Sequence, residues 1–161
     1  MTVTEYNLCV DEYSDGVYRF ILKNIKDEER ARDVVQESFV KMWEKVKDIS
    51  YQKARSYLFT TAYHTMIDVI RREKKQESLD DSPGYEPSHD RNYSDLKEVL
   101  DRGLETLPEV QKNVLLLRDY EGYSYKEIGD IVNLKESQVK VYIYRARVAL
   151  KKYIGSMDAV I

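Results

Sequence analysis

The sequence predicts an all-α protein made of two small helical bundles joined by a flexible linker. The chain has 161 residues, of which 42% are hydrophobic and 34% are charged, a composition typical of a folded protein. Glycine and proline, which end helices and form turns, are absent between Gly16 and Pro83. Because proteins built from many short strands need frequent turn residues, this long gap favours helices.

A change in composition divides the chain in two. Residues 77–95, ESLDDSPGYEPSHDRNYSD, combine Ser, Asp, Pro and Gly with almost no aliphatic side chains, which is typical of a linker. We therefore expect domains over 1–76 and 96–154, a linker over 77–95 and a tail over 155–161. Each domain is near the lower size limit for an independent core, so each should be a small bundle, of three or more helices in the first and four in the second.

Apolar residues recur at three- and four-residue steps in three segments of the N-terminal domain. The second segment spans about 28–47 with Asp27 as its cap, and the third spans about 53–75 after a loop over 47–52. We expect the buried sides of the three helices to consist, in order, of Val10, Tyr13, Val17, Phe20 and Ile21; Ala31, Val35, Phe39, Met42 and Val46; and Leu58, Ala62, Met66, Val69 and Ile70.

The C-terminal domain has clearer helix boundaries. One helix is expected from Ser94 or Asp95 through Leu104, and a second from Leu107-Pro108-Glu109, with proline in its first turn, to about Gly122. Ser124 and Glu127 have the spacing of a capping box, which predicts a short helix to Val132. Asn133 tolerates a tight turn, and a last helix follows over about 136–153.

A short helix, a tight turn and a longer basic helix predict a helix-turn-helix. On the last helix, a step of 100° per residue places Val139, Ile143, Ala146 and Leu150 on one narrow stripe. A helix that reads DNA needs cations for phosphates and small or apolar groups for base edges. Both kinds occur on the opposite side, which consists of Ser137, Lys140, Val141, Tyr144, Arg147 and Lys151.

The charge pattern agrees with local rather than general contact with nucleic acid. The net charge is −3, yet residues 53–75 hold six Lys and Arg against two acids, and residues 135–152 hold six against one. Lys and Arg near a helix end are also ordinary favourable charges for the helix dipole, and a basic helix face can simply be solvated.

The two halves resemble one protein family. Residues 107–150, LPEVQKNVLLLRDYEGYSYKEIGDIVNLKESQVKVYIYRARVAL, resemble region 4 of the extracytoplasmic-function (ECF) sigma factors, and 28–46 and 57–72 are similar to their region 2. The resemblance implies a bacterial promoter-specificity subunit that binds core RNA polymerase and promoter DNA and directs transcription initiation without catalysis of its own. It also implies an anti-sigma factor as a partner. Family members usually have Ala at Gly129, Thr at Gln138 and a small capping residue at Lys135.

The resemblance assigns three surfaces. The minus-thirty-five element would be bound by Lys135, Ser137, Gln138, Lys140, Val141, Tyr144, Arg147 and Lys151. The minus-ten element, where an aromatic side chain and polar groups hold an unstacked base and cations follow the strand, would be bound by Tyr51, Gln52, Lys53, Arg55, Arg71, Arg72, Lys74 and Lys75. The clamp helices of the largest polymerase subunit would bind the side of the second helix that carries Asp33, Gln36, Glu37, Val40 and Glu44. An acidic face with Val40 among its acids also suits a protein interface on physical grounds.

Other chemistry is weakly supported. Cys9 has no nearby His and should be a small core residue, while His64 and Asp68 supply only two possible metal ligands, so we expect no metal and no cofactor. The longest aliphatic run, Val114 to Leu117, predicts no membrane insertion and a cytoplasmic protein. A conventional operator-binding regulator and a helical enzyme that uses His64 remain as alternatives.

Overall fold

The helices of the N-terminal unit form a three-helix bundle in the computed structural model, which describes residues 1–77 and 95–156. Helix α1 spans Val3–Ile25, α2 spans Glu28–Glu44, and α3 spans Ala54–Glu77 after a short 3₁₀ turn at Tyr51–Lys53. The chain divides into two compact units, Met1–Pro87 and Ser88–Ile161. The linker expected over 77–95 and the end of the expected tail lie outside the described residues, apart from Glu77, Asp95, Gly155 and Ser156.

Local sequence signals set the helix ends of this unit. The side chain of Thr2 accepts a hydrogen bond from the backbone N–H of Glu5 at 3.1 Å, and Glu5 accepts one from the N–H of Thr2 at 2.8 Å, which forms a capping box. Asp27 accepts from the N–H of Arg30 at 3.1 Å, so the predicted cap of α2 is confirmed. Lys26 links the two helices with a left-handed backbone, at φ 62°.

The three predicted inner stripes meet in one core. Cys9, Val17, Phe20 and Ile21 of α1 are buried, and the ring of Phe20 lies 5.8 Å from that of Phe59 on α3. The prediction that Cys9 is a core residue is thus confirmed. Val34, Ser38, Phe59, Tyr63, Thr65 and Ile67 are buried in addition to the predicted stripes.

Two predicted details of α2 are wrong. The helix ends at Glu44 rather than near residue 47, because the backbone turns at Lys45, and the N–H of Asp48 then donates to the carbonyl of Lys45 at 2.9 Å. Val46 consequently lies beyond the helix and is only half-buried. Val10, Tyr13, Val69 and Ile70 are also half-buried because they lie at the margins of the bundle.

The C-terminal unit contains four α-helices within its described residues. Helix α4 spans Asp95–Glu105, α5 spans Glu109–Leu115 and continues as a π-helical segment over Leu116–Tyr120, α6 spans Tyr125–Val132, and α7 spans Glu136–Gly155. Pro108 is the N-cap of α5 rather than a residue inside its first turn, and α7 extends two residues beyond the predicted end. The buried side chains include Val114, Leu116, Leu117, Tyr123, Ile128, Ile131, Val139, Ile143 and Ala146.

The turn between α6 and α7 follows the sequence signals closely. Ser124 and Glu127 form the predicted capping box, with hydrogen bonds of 3.1 and 3.0 Å, and Asn133 ends α6 with a left-handed backbone at φ 61°. The N–H of Leu134 donates to the carbonyl of Gly129 at 2.9 Å. At Gly129 a Cβ atom would lie 2.5 Å from the carbonyl oxygen of Leu134, so the absence of a side chain there permits the close approach of the turn.

Replacing Gly129 with Ala is therefore expected to destabilise the C-terminal unit. The new methyl group meets a backbone oxygen that cannot move alone, and overpacking of this kind costs about 1–3 kcal/mol, of which better helix propensity recovers about 1 kcal/mol. Urea unfolding followed by circular dichroism measures the difference. Gly155→Ala is the matched control, because a Cβ atom there has no neighbour within 4 Å. Equal stability of the two variants would show that the turn relaxes without cost.

Candidate nucleic-acid and protein interfaces

The outer face of α7 carries exposed side chains of mixed chemistry. Val139, Ile143 and Ala146 of the predicted inner stripe are buried and Leu150 is half-buried. Tyr144 is 70% exposed and Val141 is 45% exposed, although both are large and hydrophobic. The whole predicted outer face is exposed, namely Ser137, Lys140, Val141, Tyr144, Arg147 and Lys151. The arrangement combines cations with apolar groups on one helix surface, which suits a DNA groove.

The first turn of α7 uses two of the predicted contact residues to start the helix. Lys135 is at the N-cap, and its backbone N–H donates to Oε1 of Gln138 at 3.0 Å. Lysine has no side-chain acceptor, so Gln138 supplies the reciprocal half of a capping box alone. Both side chains remain exposed. The carbonyl oxygen of Gln138 is thus occupied in the free protein.

One predicted phosphate contact has an internal partner. Arg147 donates to Asp119 of the π-helical segment through Nη2 at 2.6 Å and through Nε at 3.4 Å. The hydrogen bond from Asp119 raises the pKa of Arg147, which stays charged. Asp119 is 28 residues away in the chain, so helical spacing gives no signal for this pair.

A shallow depression of about 290 Å³ lies beside the outer face and is lined by Ser137, Gln138, Val141, Tyr142 and Arg145. Arg145 is exposed, and the sequence interpretation missed it. It follows Tyr144 on the helix and falls between the predicted outer face and Gln138. A search of the whole basic segment, rather than of the side opposite the core alone, would have found it.

The acidic face of α2 has an apolar centre. All five residues predicted for polymerase contact, Asp33, Gln36, Glu37, Val40 and Glu44, are exposed. Val40 is 54% exposed and Trp43 is 47% exposed, and the ring of Trp43 lies 5.0 Å from that of Tyr6 on α1. The hydroxyl of Tyr6 donates to the carbonyl of Phe39 at 2.8 Å, which fixes α1 beside this face. Trp43 was missed, although its spacing of three residues from Val40 was a usable signal.

The loop before α3 is tied to α1. Gln52 and Lys53 are exposed in the 3₁₀ turn, whereas Tyr51 is half-buried and its hydroxyl donates to the carboxylate of Glu12. Partial burial, with the negative charge of Glu12 next, raises the pKa of Tyr51. The guanidinium of Arg55 lies 5.5 Å from the ring centre of Phe59. Polar and aromatic groups therefore meet at this end of α3.

The second half of the predicted minus-ten set lies elsewhere. Arg71, Arg72, Lys74 and Lys75 are exposed in the last turns of α3. With 16 residues between Arg55 and Arg71 and a rise of about 1.5 Å per residue, the two groups lie about 24 Å apart. The structure does not bring them together as one pocket. A nucleic-acid strand along α3 would contact both.

Metal and membrane features were also sought. Among residues 1–77 and 95–156, no three His, Cys, Asp or Glu side chains are placed to hold a metal ion. His64 and Asp68 are both exposed on α3. No helix in that part of the chain is long and apolar enough to cross a bilayer.

A helical unit with an acidic and apolar protein-binding face, followed by a helix-turn-helix unit, defines a DNA-binding protein that also docks onto a protein. Comparison with known families specifies it further. Residues 9–76 match the family model for sigma-70 region 2, and residues 97–150 match the model for sigma-70 region 4. The chain belongs to the ECF RNA polymerase sigma factors. It is a promoter-specificity subunit for transcription initiation by RNA polymerase.

Relatives and solved structures agree with this family. The chain is 31% identical over 156 residues to the ECF RNA polymerase sigma factor SigM of Bacillus subtilis, covering 89% of this chain and 94% of that protein. It is 30% identical to the sigma factor SigV of the same species, covering 86% and 84%. The sigma factor RpoE from Bartonella quintana, solved with the anti-sigma factor NepR, has the same fold with a TM-score of 0.83 at 20% identity, covering 97% of this chain and 99% of that one. CnrH, solved with the cytosolic domain of CnrY, gives 0.71 at 22% identity, covering 95% and 89%.

Removal of Asp119 is expected to release Arg147 for phosphate. In Asp119→Ala, loss of an exposed ion pair costs only about 0–1 kcal/mol of stability. One more phosphate contact would steepen the fall of promoter affinity with salt by about 0.9 on a log–log plot. Binding of the polymerase holoenzyme to a promoter fragment over a salt series measures the slope. Asp130→Ala removes the same charge from an exposed site on α6. Equal slopes in the two variants would mean that Arg147 gains no contact.

Proposed function

We propose that the outer face of α7 reads the minus-thirty-five element of the promoters that this sigma factor recognises. The observation that carries this assignment is the exposure of Lys140, Val141 and Tyr144 side by side on a helix whose opposite side is buried. Lys140 offers donors to base-edge acceptors, and Val141 and Tyr144 offer apolar contact to thymine methyl groups. Lys151, further along the helix, meets phosphate, as do Lys135 and Arg145 near the rim of the groove.

The N-terminal unit contacts both polymerase and the melted strand. The acidic face of α2, with Val40 and Trp43 at its centre, binds the clamp helices of the largest polymerase subunit. The loop of Tyr51, Gln52 and Lys53, with Arg55, holds an unstacked base of the minus-ten element, and the basic end of α3 follows the backbone of that strand. In this arrangement residues 1–76 serve polymerase and the minus-ten element, residues 77–95 are a linker, and residues 96–154 serve the minus-thirty-five element.

The partners follow from the same surfaces. RpoE and CnrH are solved as complexes with NepR and with the cytosolic domain of CnrY. By analogy, we propose that an anti-sigma factor also holds this chain inactive in the cytoplasm, where the polymerase and the promoters lie. The protein has no catalysis of its own and acts only by binding. Run-off transcription with core polymerase over a pool of promoter fragments tests the function as a whole, and a protein that binds DNA without directing initiation would instead be an operator-binding regulator.

Reversal of charge on α2 is expected to weaken polymerase binding. In the double variant Asp33→Lys and Glu37→Lys, two exposed side chains that point away from the core change sign, so helical content is retained apart from the exposed ion pair of Glu37 with Lys41 at 3.3 Å. Titration of labelled core polymerase measures an affinity loss of about tenfold or more, from removed attraction and added repulsion.

The matched control reverses Asp11 and Asp15, which are also exposed and one turn apart but lie on α1. It changes the net charge equally. If both double variants lose the same affinity, only net charge matters and α2 is not the contact surface.

Substitutions on α7 are expected to separate base reading from phosphate binding. Lys140→Ala or Tyr144→Ala should change the preferred upstream sequence, at about 1–3 kcal/mol for the affected base pair. Lys151→Ala should weaken all sequences nearly equally and lower the salt dependence. Selection from a promoter library with a randomised upstream element compares the three. Recovery of the wild-type sequence by the first two variants would make this face a phosphate-binding surface only.

A further inference from the structure

The structure shows a tyrosine with basic side chains around it at the base of the helix-turn-helix. Tyr125, in the first turn of α6, is half-buried. The guanidinium carbon of Arg118 lies 4.7 Å from the centre of its ring, and Nζ of Lys140 lies 5.7 Å from the same centre. The hydroxyl of Tyr125 also accepts a hydrogen bond from Arg147. One side chain thus connects the π-helical segment, α6 and α7.

The ring of Tyr125 is itself held in place. Arg118 donates to the carbonyl of Tyr123 at 2.9 Å, so the guanidinium beside the ring is fixed to the backbone. Ser124, the residue before Tyr125, is held by the capping box with Glu127. A ring fixed on both sides can restrain a neighbouring flexible chain, because a cation within about 6 Å of an aromatic face is attracted to it.

Lys140 is the side chain in need of such restraint. Lysine carries its charge on four rotatable bonds and loses about 2 kcal/mol of rotamer entropy when fixed. Its other recorded partner, Glu136, is at 3.8 Å, and both side chains are more than half exposed, so this ion pair holds Lys140 only weakly. The ring lies on a different helix and fixes the ammonium relative to the whole helix-turn-helix.

We propose that Tyr125 is a positioning residue for promoter specificity, whose ring directs the ammonium group of Lys140 toward one base pair of the upstream element. This inference rests on the proposed base-reading role of Lys140. The ring and the hydroxyl have separate tasks: the ring orients Lys140, and the hydroxyl helps Asp119 to hold Arg147. Tyr125 therefore affects which sequence is chosen, although it lies outside the helix that reads it.

The test uses holoenzyme formed with the full chain and a promoter library with a randomised upstream element. Tyr125→Leu removes the ring and keeps an apolar side chain, and Tyr125→Phe keeps the ring and removes the hydroxyl. We expect Tyr125→Leu to lower discrimination about two- to fivefold at the base pair that Lys140→Ala affects, the range for an exposed cation–aromatic contact. Tyr125→Phe should retain wild-type discrimination there. In a Lys140→Ala background, Tyr125→Leu should cause no further change at that base pair.

The outcomes separate this inference from the proposed function. If Lys140→Ala changes the preference and Tyr125→Leu does not, Lys140 reads the base without help and Tyr125 is not a positioning residue. If Lys140→Ala leaves every upstream position unchanged, the base-reading role falls and the inference falls with it. If Tyr125→Leu fails to fold, the ring-current shift of the Lys140 ε-methylene protons in the free wild-type chain decides. A shift shared by wild type and Tyr125→Phe supports the contact, and random-coil values overturn it.

Discussion

The close approach of backbone at Gly129 and Leu134 determines how the C-terminal unit presents α7. The carbonyl of Leu134 lies where a Cβ atom at position 129 would stand, and Asn133 makes the turn with a left-handed backbone. Helix α7 leaves this turn with Val139, Ile143 and Ala146 against the core. Since the buried stripe fixes rotation about the helix axis, Lys140, Val141 and Tyr144 have only one direction in which to face. The reading surface is therefore set by the turn and by the core together.

The N-terminal unit separates its two tasks along the chain. Three helices share one core, so two helix faces remain for partners, and the chain uses different chemistry on each. The face of α2 has acids around Val40 and Trp43, whereas α3 is basic at its last turns and aromatic and polar at its first. Because charges of opposite sign lie on different helices, polymerase and nucleic acid need not compete for one surface.

The sequence predicted what is local and missed what is distant. Ser124, Asn133 and Asp27 act within a few residues of themselves, so caps, turns and helix order were predictable. The pairs Asp119–Arg147 and Glu12–Tyr51 join residues far apart in the chain, and Trp43 is visible as exposed only once α1 is placed beside it. The early end of α2 has a similar cause, since turns beyond Glu44 replaced a last helical turn that apolar spacing favoured. Periodicity reports a residue's own helix and not its partners.

Internal contacts of the reading surface also bear on how its specificity arises. A basic helix with unrestrained side chains binds phosphate anywhere, since Coulomb attraction carries little orientation. In this chain Arg147 is held by Asp119, Lys140 lies near Tyr125, and the carbonyl of Gln138 is occupied by the N–H of Lys135. Restraint lowers the entropy lost on binding at the correct sequence and removes alternative contacts at others. The same cations therefore discriminate between promoters because neighbouring residues limit where they can reach.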